Sequence, residues 1–400
     1  MMKKILARLV FLMLGAASSF AQAQLMPQPP EVAARAYLLI DITANQVLAG
    51  KDAQMPVEPA SLTKLMTAYL VFDALKLKKI NLQQTLPVSV NAWKQPGSRM
   101  FIDPKMSVPV EDLIKGMIVQ SGNDATMALA EGVGGTAERF VQMMNEQAKA
   151  LGMSATQFKN PSGLPEAGHI TTARDLSVLA TRLMRDHADF VAYYAIKKYH
   201  YPGTPKANDS NRNVLLFRDP SVDGLKTGHT DAAGYCLIAT ARRDFDNLTP
   251  AGAAPGASAA GGGRRLLAIV LGADSENARA NEAQKLLNWG FSAFEAVKLF
   301  EANQAAVSPA VWKGKDNRVN LGSSQAIVVA VPAGSAAKLV TRVVRPDPLK
   351  APLIKGQTVG SLKVSVGEQA LVDIPLQVLN TVDEAGVLGR AWDAMRLWIR

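Results

Sequence analysis

The stretch "PASLTKLMTAYLVF", Pro59–Phe72, decides how the rest of the chain is read. From Leu62 to Phe72 it is apolar nearly all round, the pattern of a helix sunk in a core. Yet Lys64 falls in its first turn, three residues after Ser61. Lysine seldom enters a core without a partner. Residues three apart on a helix are neighbours, so the hydroxyl and the amine share a face. A serine hydroxyl attacks poorly until a base takes its proton. A buried lysine can be that base, because desolvation and a nearby second cation lower its pKa toward neutrality. Backbone N–H groups at the helix start also point toward the hydroxyl's reaction partner.

Alone, this pattern is cheap. Ser335-Ala336-Ala337-Lys338 repeats it, and there it reads as a helix start with a solvated lysine. Ser-x-Asn is equally common, at Ser89, Ser121 and Ser275. Only Ser121-Gly122-Asn123 falls between two apolar helical runs, where a turn offers a hydroxyl and an amide to a cleft; the plain alternative is a capping turn. Lys226-Thr227-Gly228 occurs once and opens a strand. Lysine and threonine suit a carboxylate, and glycine permits close approach of a substrate backbone. What carries information is the conjunction, in the order Ser-x-x-Lys, Ser-x-Asn, Lys-Thr-Gly, with each placed where one cleft collects it.

The frame around these motifs is that of an exported two-domain protein. Four hundred residues exceed one ordinary core. Residues 1–23 carry Lys3, Lys4 and Arg8, an apolar run too short to span a bilayer, and the Ala21-Gln22-Ala23 cleavage pattern, so they read as a secretory signal peptide. Losing these three basic residues lowers the net charge from +10 to +7. For an exported chain this balance suggests anionic lipid or an anionic wall polymer, not nucleic acid. Cys236, the one cysteine, reads as a small buried apolar residue and excludes an intrachain disulfide. Four histidines and one cysteine build no metal cluster, and no cofactor is implied.

Along the chain, "ARAYLLIDITANQVLAGKDA" predicts two strands around a turn at Thr43–Asn45. "TAERFVQMMNEQAKALG" predicts a helix capped by Thr136 and stopped at Gly152, and "TTARDLSVLATRLMRD" another. Tyr235–Ala241 and Leu266–Leu271 read as adjacent buried strands, joined by a Gly/Ala/Pro-rich surface loop at Asn247–Gly263. "ENARANEAQKLLNWGFSAF" predicts a helix. Residues 27–297 therefore make an α/β domain. Residues 298–380, with short alternating runs such as "AKLVTRVV", predict a small all-β domain. Residues 381–400 predict an amphipathic helix opened by a capping box at Thr381–Glu384. Leu388, Trp392, Met395 and Ile399 fall on one face, a pattern suited to lying in an anionic membrane interface.

"SLTK", "SGN" and "KTGHT" resemble the motifs of the penicillin-recognising serine enzymes. The flanking text "PASLTKLMTAYLVF", "QSGNDATMALAE", "NPSGLPEAGHITTARDL" and "VDGLKTGHTDAAGYCL" is similar to the low-molecular-mass D-alanyl-D-alanine carboxypeptidases, the S11 serine peptidases. The resemblance covers the α/β domain in motif and the remainder in arrangement. It implies a β-lactamase/transpeptidase-like fold, an antiparallel sheet with helices. It also implies removal of the terminal D-alanine of peptidoglycan stem peptides, acylation by β-lactam antibiotics, and a periplasmic seat on the outer face of the inner membrane. By resemblance Ser61 is the nucleophile, Lys64 its base and Ser121 a proton relay helped by Lys226, whose charge helps keep Lys64 neutral. Asn123 holds the substrate's peptide carbonyl. Thr227 of the Lys226-Thr227-Gly228 strand, with Arg212, grips the terminal carboxylate. The backbone N–H groups of Ser61 and His229 form the oxyanion hole, so the His229 ring is not the base. Ser162 stands where the family often has histidine. A class A β-lactamase is disfavoured, because the Leu-Asn pairs at 287–288 and 379–380 follow Gln284 and Leu376, not the glutamate of Glu-x-x-Leu-Asn. A DD-endopeptidase, and a wall-binding scaffold that acylates slowly without turnover, stay open.

Overall fold

The computed structural model describes residues 26–244 and 263–399. The expected signal peptide, 1–23, lies outside the described residues, as does the expected loop Asn247–Gly263 except for Gly263, which is the first residue of a strand. The rest divides into two compact units, residues 29–244 with 263–292, and residues 293–399.

The larger unit is built on an antiparallel sheet of β1 (Ala36–Asp41), β2 (Gln46–Lys51), β5 (Val222–Thr230), β6 (Gly234–Asp244) and β7 (Gly263–Ala273), in the order β2-β1-β7-β6-β5. The short β3 (Thr85–Pro87) and β4 (Ser107–Pro109) form a separate pair. Helices α1 (Lys64–Lys76), α2 (Val110–Val119), α3 (Asn123–Gly134), α4 (Ala137–Leu151) and α5 (Ala173–Asp186) precede β5, and α6 (Glu276–Ala293) follows β7. The apolar runs of β1, β6 and β7 are continuous, not alternating, because both sheet faces are covered. Leu38, Ile40, Ile238, Leu267 and Ile269 point into the core shared with α1 to α5. Leu39, Leu237, Leu266 and Val270 point into a second core with Leu286 and Leu287 of α6.

Helix α1 runs through the first core, every residue from Lys64 to Phe72 being buried. Leu65, Met66, Val71 and Phe72 are fully buried, and each such side chain contributes roughly 1.5–3 kcal/mol. Ser61 itself lies not in this helix but in a 3-10 turn, Ala60–Thr63, that leads into it. Pro59 precedes the turn and Ala60 takes a positive φ of 46°, so the chain enters too sharply for a regular α-turn. Thr136 and Gly152 cap and stop α4 as the sequence implies. Thr136 accepts from the Arg139 N–H, and Gly152 is left-handed.

The smaller unit holds β8 (Phe294–Phe300), β9 (Ala305–Val307), β10 (Val311–Trp312), β11 (Leu321–Gly322), β12 (Ile327–Pro332), β13 (Leu339–Val344), β14 (Leu349–Lys350), β15 (Thr358–Val366) and β16 (Gln369–Val378). Its main sheet runs β13-β15-β16-β11-β9, with β8 paired to β12 and β10 to β14. The expected boundary at Val297 falls inside β8. The run "FEAVKLF" is a strand from its first residue because it pairs along its length with β12.

The capping box at Thr381–Glu384 does not form. Val382 is fully buried and bridges Leu353, while Glu384 bridges Gly314. Long-range pairing thus outcompetes the local helix start, and the last helix, α7, spans Val387–Ile399. Its Asp393 carboxylate accepts from the Lys313 N–H at 2.6 Å, Arg396 lies over the Trp312 ring, and Arg390 pairs with Glu384. Leu388, Trp392, Met395 and Trp398 face outward, Leu388 and Trp398 at 87% and 88% exposure.

Candidate active site

The three motifs meet at a cavity of about 220 Å³ in the larger unit. Ser61, Ser121, Arg212, Thr227, Gly228 and His229 all line it. Lys64, Asn123 and Lys226 stand immediately behind this lining, each buried.

Lys64 is 1% exposed. Its Nζ lies 2.9 Å from Ser61 Oγ, 2.7 Å from Asn123 Oδ1 and 2.7 Å from the Ser162 carbonyl. A neutral amine has two N–H bonds and one lone pair. Asn123 Oδ1 and the Ser162 carbonyl only accept, so they take the two N–H bonds. The lone pair is then left facing the Ser61 hydroxyl, which donates. The orientation of the Asn123 amide is itself fixed, because Nδ2 donates to the Pro96 carbonyl at 2.6 Å. Burial lowers the Lys64 pKa from its ordinary 10.5 to about 7, against the opposing field of Asp124.

Ser121 lies in the break between α2 and α3, with a positive φ of 60°. Lys226 Nζ donates to Ser121 Oγ at 2.9 Å and to the Thr227 carbonyl at 3.0 Å. Burial, and then the positive charges of Lys64, Arg279 and Arg212, hold the Lys226 pKa well below the usual amine range. Desolvation is the leading cause at both amines, so burial more than mutual repulsion lowers them.

Gly228 explains itself by distance. A Cβ there would stand 3.2 Å from both the Ser61 nitrogen and the Pro59 carbonyl oxygen. Strand β5 therefore passes directly against the turn that carries Ser61, bringing the backbone of 228–229 beside the Ser61 N–H. The His229 ring is turned to stack on Tyr235, with centroids 4.0 Å apart. Arg212 is exposed on its loop, yet its neighbours are pinned. Asn211 donates to the Ile196 carbonyl at 2.9 Å and Asn213 to the Gly224 carbonyl at 3.0 Å. The loop is held and its arginine is presented to the cavity.

The look-alike motifs end elsewhere. Lys338 is exposed and Ser335 precedes a 3-10 turn. Ser89 and Ser275 each cap a helix start, accepting from the Ala92 and Ala278 N–H groups. Burial of the lysine, more than the spacing, separates the first motif from its copy.

Sequence reasoning assigned no role to five residues around the site. Arg279 and Glu276 of α6 line the cavity, as does Ser98, whose carbonyl accepts from the Asn123 N–H. A signal for Arg279 existed: it falls in phase with Ala283, Leu286 and Leu287 on the buried stripe of its helix. Asp124, fully buried, accepts from the N–H groups of Met100 and Phe101 at 2.8 Å and of Ile102 at 3.3 Å, fastening the segment beside Ser98 to α3. His169 lies buried in its loop, with its ring Nε2 2.9 Å from the Thr63 hydroxyl. Its pKa is lowered to about 4, mainly by burial, so it is neutral near pH 7.

A hydroxyl in hydrogen-bond contact with a buried lysine near neutrality, backed by a second hydroxyl–lysine pair and facing cationic side chains, defines a serine acyl-transfer site. Comparison with known proteins narrows the class. Residues 23–251 match the peptidase S11 family model, described as D-alanyl-D-alanine carboxypeptidase, and the chain belongs to that family. Residues 294–384 match the C-terminal domain of penicillin-binding protein 5. The chain is 39% identical to the D-alanyl-D-alanine carboxypeptidase DacC of Escherichia coli, over 96% of this chain and 92% of that protein. The crystal structure of penicillin-binding protein 5 from Haemophilus influenzae superposes with a TM-score of 0.79 at 34% identity, over 90% of this chain and all of that one. Penicillin-binding protein D2 from Listeria monocytogenes, solved with ampicillin bound, covers 66% of this chain and all of its own at 30% identity and a TM-score of 0.56.

Proposed function

We propose that the chain is a serine D-Ala-D-Ala carboxypeptidase that removes the terminal D-alanine of peptidoglycan stem peptides through an acyl-enzyme at Ser61, and that β-lactams acylate the same residue. The observation that carries the reading is the hydroxyl–amine contact of Ser61 with a buried Lys64, its other two contacts being pure acceptors. Lys64 takes the Ser61 proton as Oγ attacks the penultimate carbonyl. The N–H groups of Ser61 and His229 receive the developing oxyanion; losing one such donor typically costs about 3 kcal/mol of barrier. Ser121, donated to by Lys226, passes a proton to the leaving D-alanine. Thr227, Arg212 and Arg279 face the end of the cleft where the terminal carboxylate lies. Asn123 Nδ2 keeps one N–H beyond its bond to Pro96 for the substrate's peptide carbonyl. The test is release of D-alanine from diacetyl-L-Lys-D-Ala-D-Ala. Ser61→Ala is expected to release none and to take no label from a fluorescent penicillin, and Ser335→Ala to behave as wild type. Labelling without release would favour the slow scaffold. Cleavage of cross-linked dimers in preference to the pentapeptide would favour the endopeptidase.

The chain is further proposed to be exported and to lie on the outer face of the inner membrane through α7. No helix among the described residues is long and apolar enough to cross a membrane. Support comes from the polarity of α7: its charged side is engaged by Lys313, Trp312 and Glu384, and its outward side carries Leu388, Trp392, Met395 and Trp398. Four such side chains contribute several kcal/mol at roughly 1.5–3 each on burial in an interface. Ending the chain after Gly386 keeps the bridges at Val382 and Glu384. That form is expected to lose binding to anionic vesicles and to keep peptide hydrolysis; sedimentation with vesicles in spite of the truncation would place the anchor elsewhere.

A further inference from the structure

We propose that Glu276 is a built-in counter-ion that occupies Arg279 in the free enzyme and so sets how tightly carboxylate-bearing ligands bind. Among the described residues lining the cavity it is the only acidic one, against Arg212 and Arg279. Its Oε1 accepts from Arg279 Nη2 at 3.1 Å. The two partners are unequally held. Arg279 is 4% exposed in its side chain, donates to the Gly228 carbonyl at 3.3 Å and lies over the Tyr235 ring. Glu276 is 55% exposed in its side chain and has no second hydrogen bond among those described. The guanidinium is therefore fixed at the oxyanion strand, and the carboxylate is the movable member.

The reason for such a pair is electrostatic. A guanidinium buried beside Arg212 and Lys226 is costly without an anion. Burial already lowers the Arg279 pKa, and Glu276 is the first group that offsets this. In the free enzyme Glu276 supplies the negative charge. A ligand carboxylate entering the cleft offers the same charge to the same fork, and must share or displace Glu276. The resident carboxylate thereby weakens ligand binding, and it returns to Arg279 as the product D-alanine leaves. Glu276 acts through Arg279, so it is a positioning residue and not a catalytic one.

This inference rests on the reading that the Arg212, Thr227 and Arg279 end of the cleft takes the terminal carboxylate. Glu276→Gln keeps the side chain's shape and removes its charge. It is expected to lower KM for diacetyl-L-Lys-D-Ala-D-Ala by about two- to fivefold, the range of a half-exposed ion pair, with kcat unchanged. The second-order acylation constant for benzylpenicillin is expected to rise by a similar factor, and that for its methyl ester to stay constant. A merely structural disturbance would move acid and ester together. An unchanged or raised KM, or a parallel shift of acid and ester, overturns the proposal. Arg279→Gln separates the two levels of the argument. If it raises KM while Glu276→Gln does not lower it, the counter-ion role alone is wrong. If it leaves KM unchanged, the carboxylate grip lies elsewhere and the counter-ion role falls with it.

Discussion

Titrating Lys64 tests the mechanism most directly. The residue is 1% exposed, and burial brings its pKa from 10.5 to about 7. The sign follows from the contacts. Below pH 7 the added proton fills the lone pair that faces Ser61, and no other group is within reach of that hydroxyl's proton among the described contacts. Acylation should therefore fall as pH falls, tenfold per unit once well below 7. At pH 5 about one enzyme in a hundred carries the free base, equivalent to about 2.7 kcal/mol of barrier. Above pH 8 the rate should be level. The assay is the second-order rate of labelling by a fluorescent penicillin between pH 5 and 9, with a thermal melt at each pH to exclude unfolding. Lys64→Arg keeps a charge that cannot be removed in this range, so the rate should drop by at least ~10²-fold and the limb near pH 7 should vanish. A flat profile in the wild type, or the same limb surviving in Lys64→Arg, would refute Lys64 as the base.

Two substitutions test how the site is held. Gly228→Ala places a Cβ 3.2 Å from the Ser61 nitrogen, so acylation should fall by roughly 10²-fold while the melting temperature barely moves; a near-normal labelling rate would show that strand β5 is free to give way. Asp124→Ala strips an acceptor from three backbone N–H groups and should destabilise the fold by roughly 3–5 kcal/mol, read as a lower midpoint in urea; an unchanged midpoint would show that water replaces the carboxylate.

How much of this was legible depended on how local each cause was. Each of the five strands of the main sheet is legible in the sequence, but their order is not. β1, β6 and β7 announce themselves as unbroken apolar runs because each is covered on both faces. Helix caps at Thr136 and Gly152 are decided within a few residues and were equally readable. The start of α7 was not, because a short-range capping pattern at Thr381–Glu384 lost to bridges with Leu353 and Gly314, far away in the chain. The same division holds in the site. Serine, lysine and glycine motifs carry fixed spacings, whereas Asp124 and Arg279 act through contacts 22–51 residues distant and leave only a charge on an otherwise apolar stripe. His169 lies in a loop and leaves no such signal, because only the fold brings its ring to Thr63.

Helix α1 carries Lys64 as its first residue and fills the middle of the larger core with the rest. No small opening motion frees Lys64 while leaving Leu65, Met66 and Phe72 packed. The amide protons of α1 should therefore exchange with solvent only when the whole unit unfolds. Covalent capture by a β-lactam then becomes a census of folded molecules: in a partly denatured sample, the labelled fraction counts intact domains one by one, with no need for a separate probe of structure.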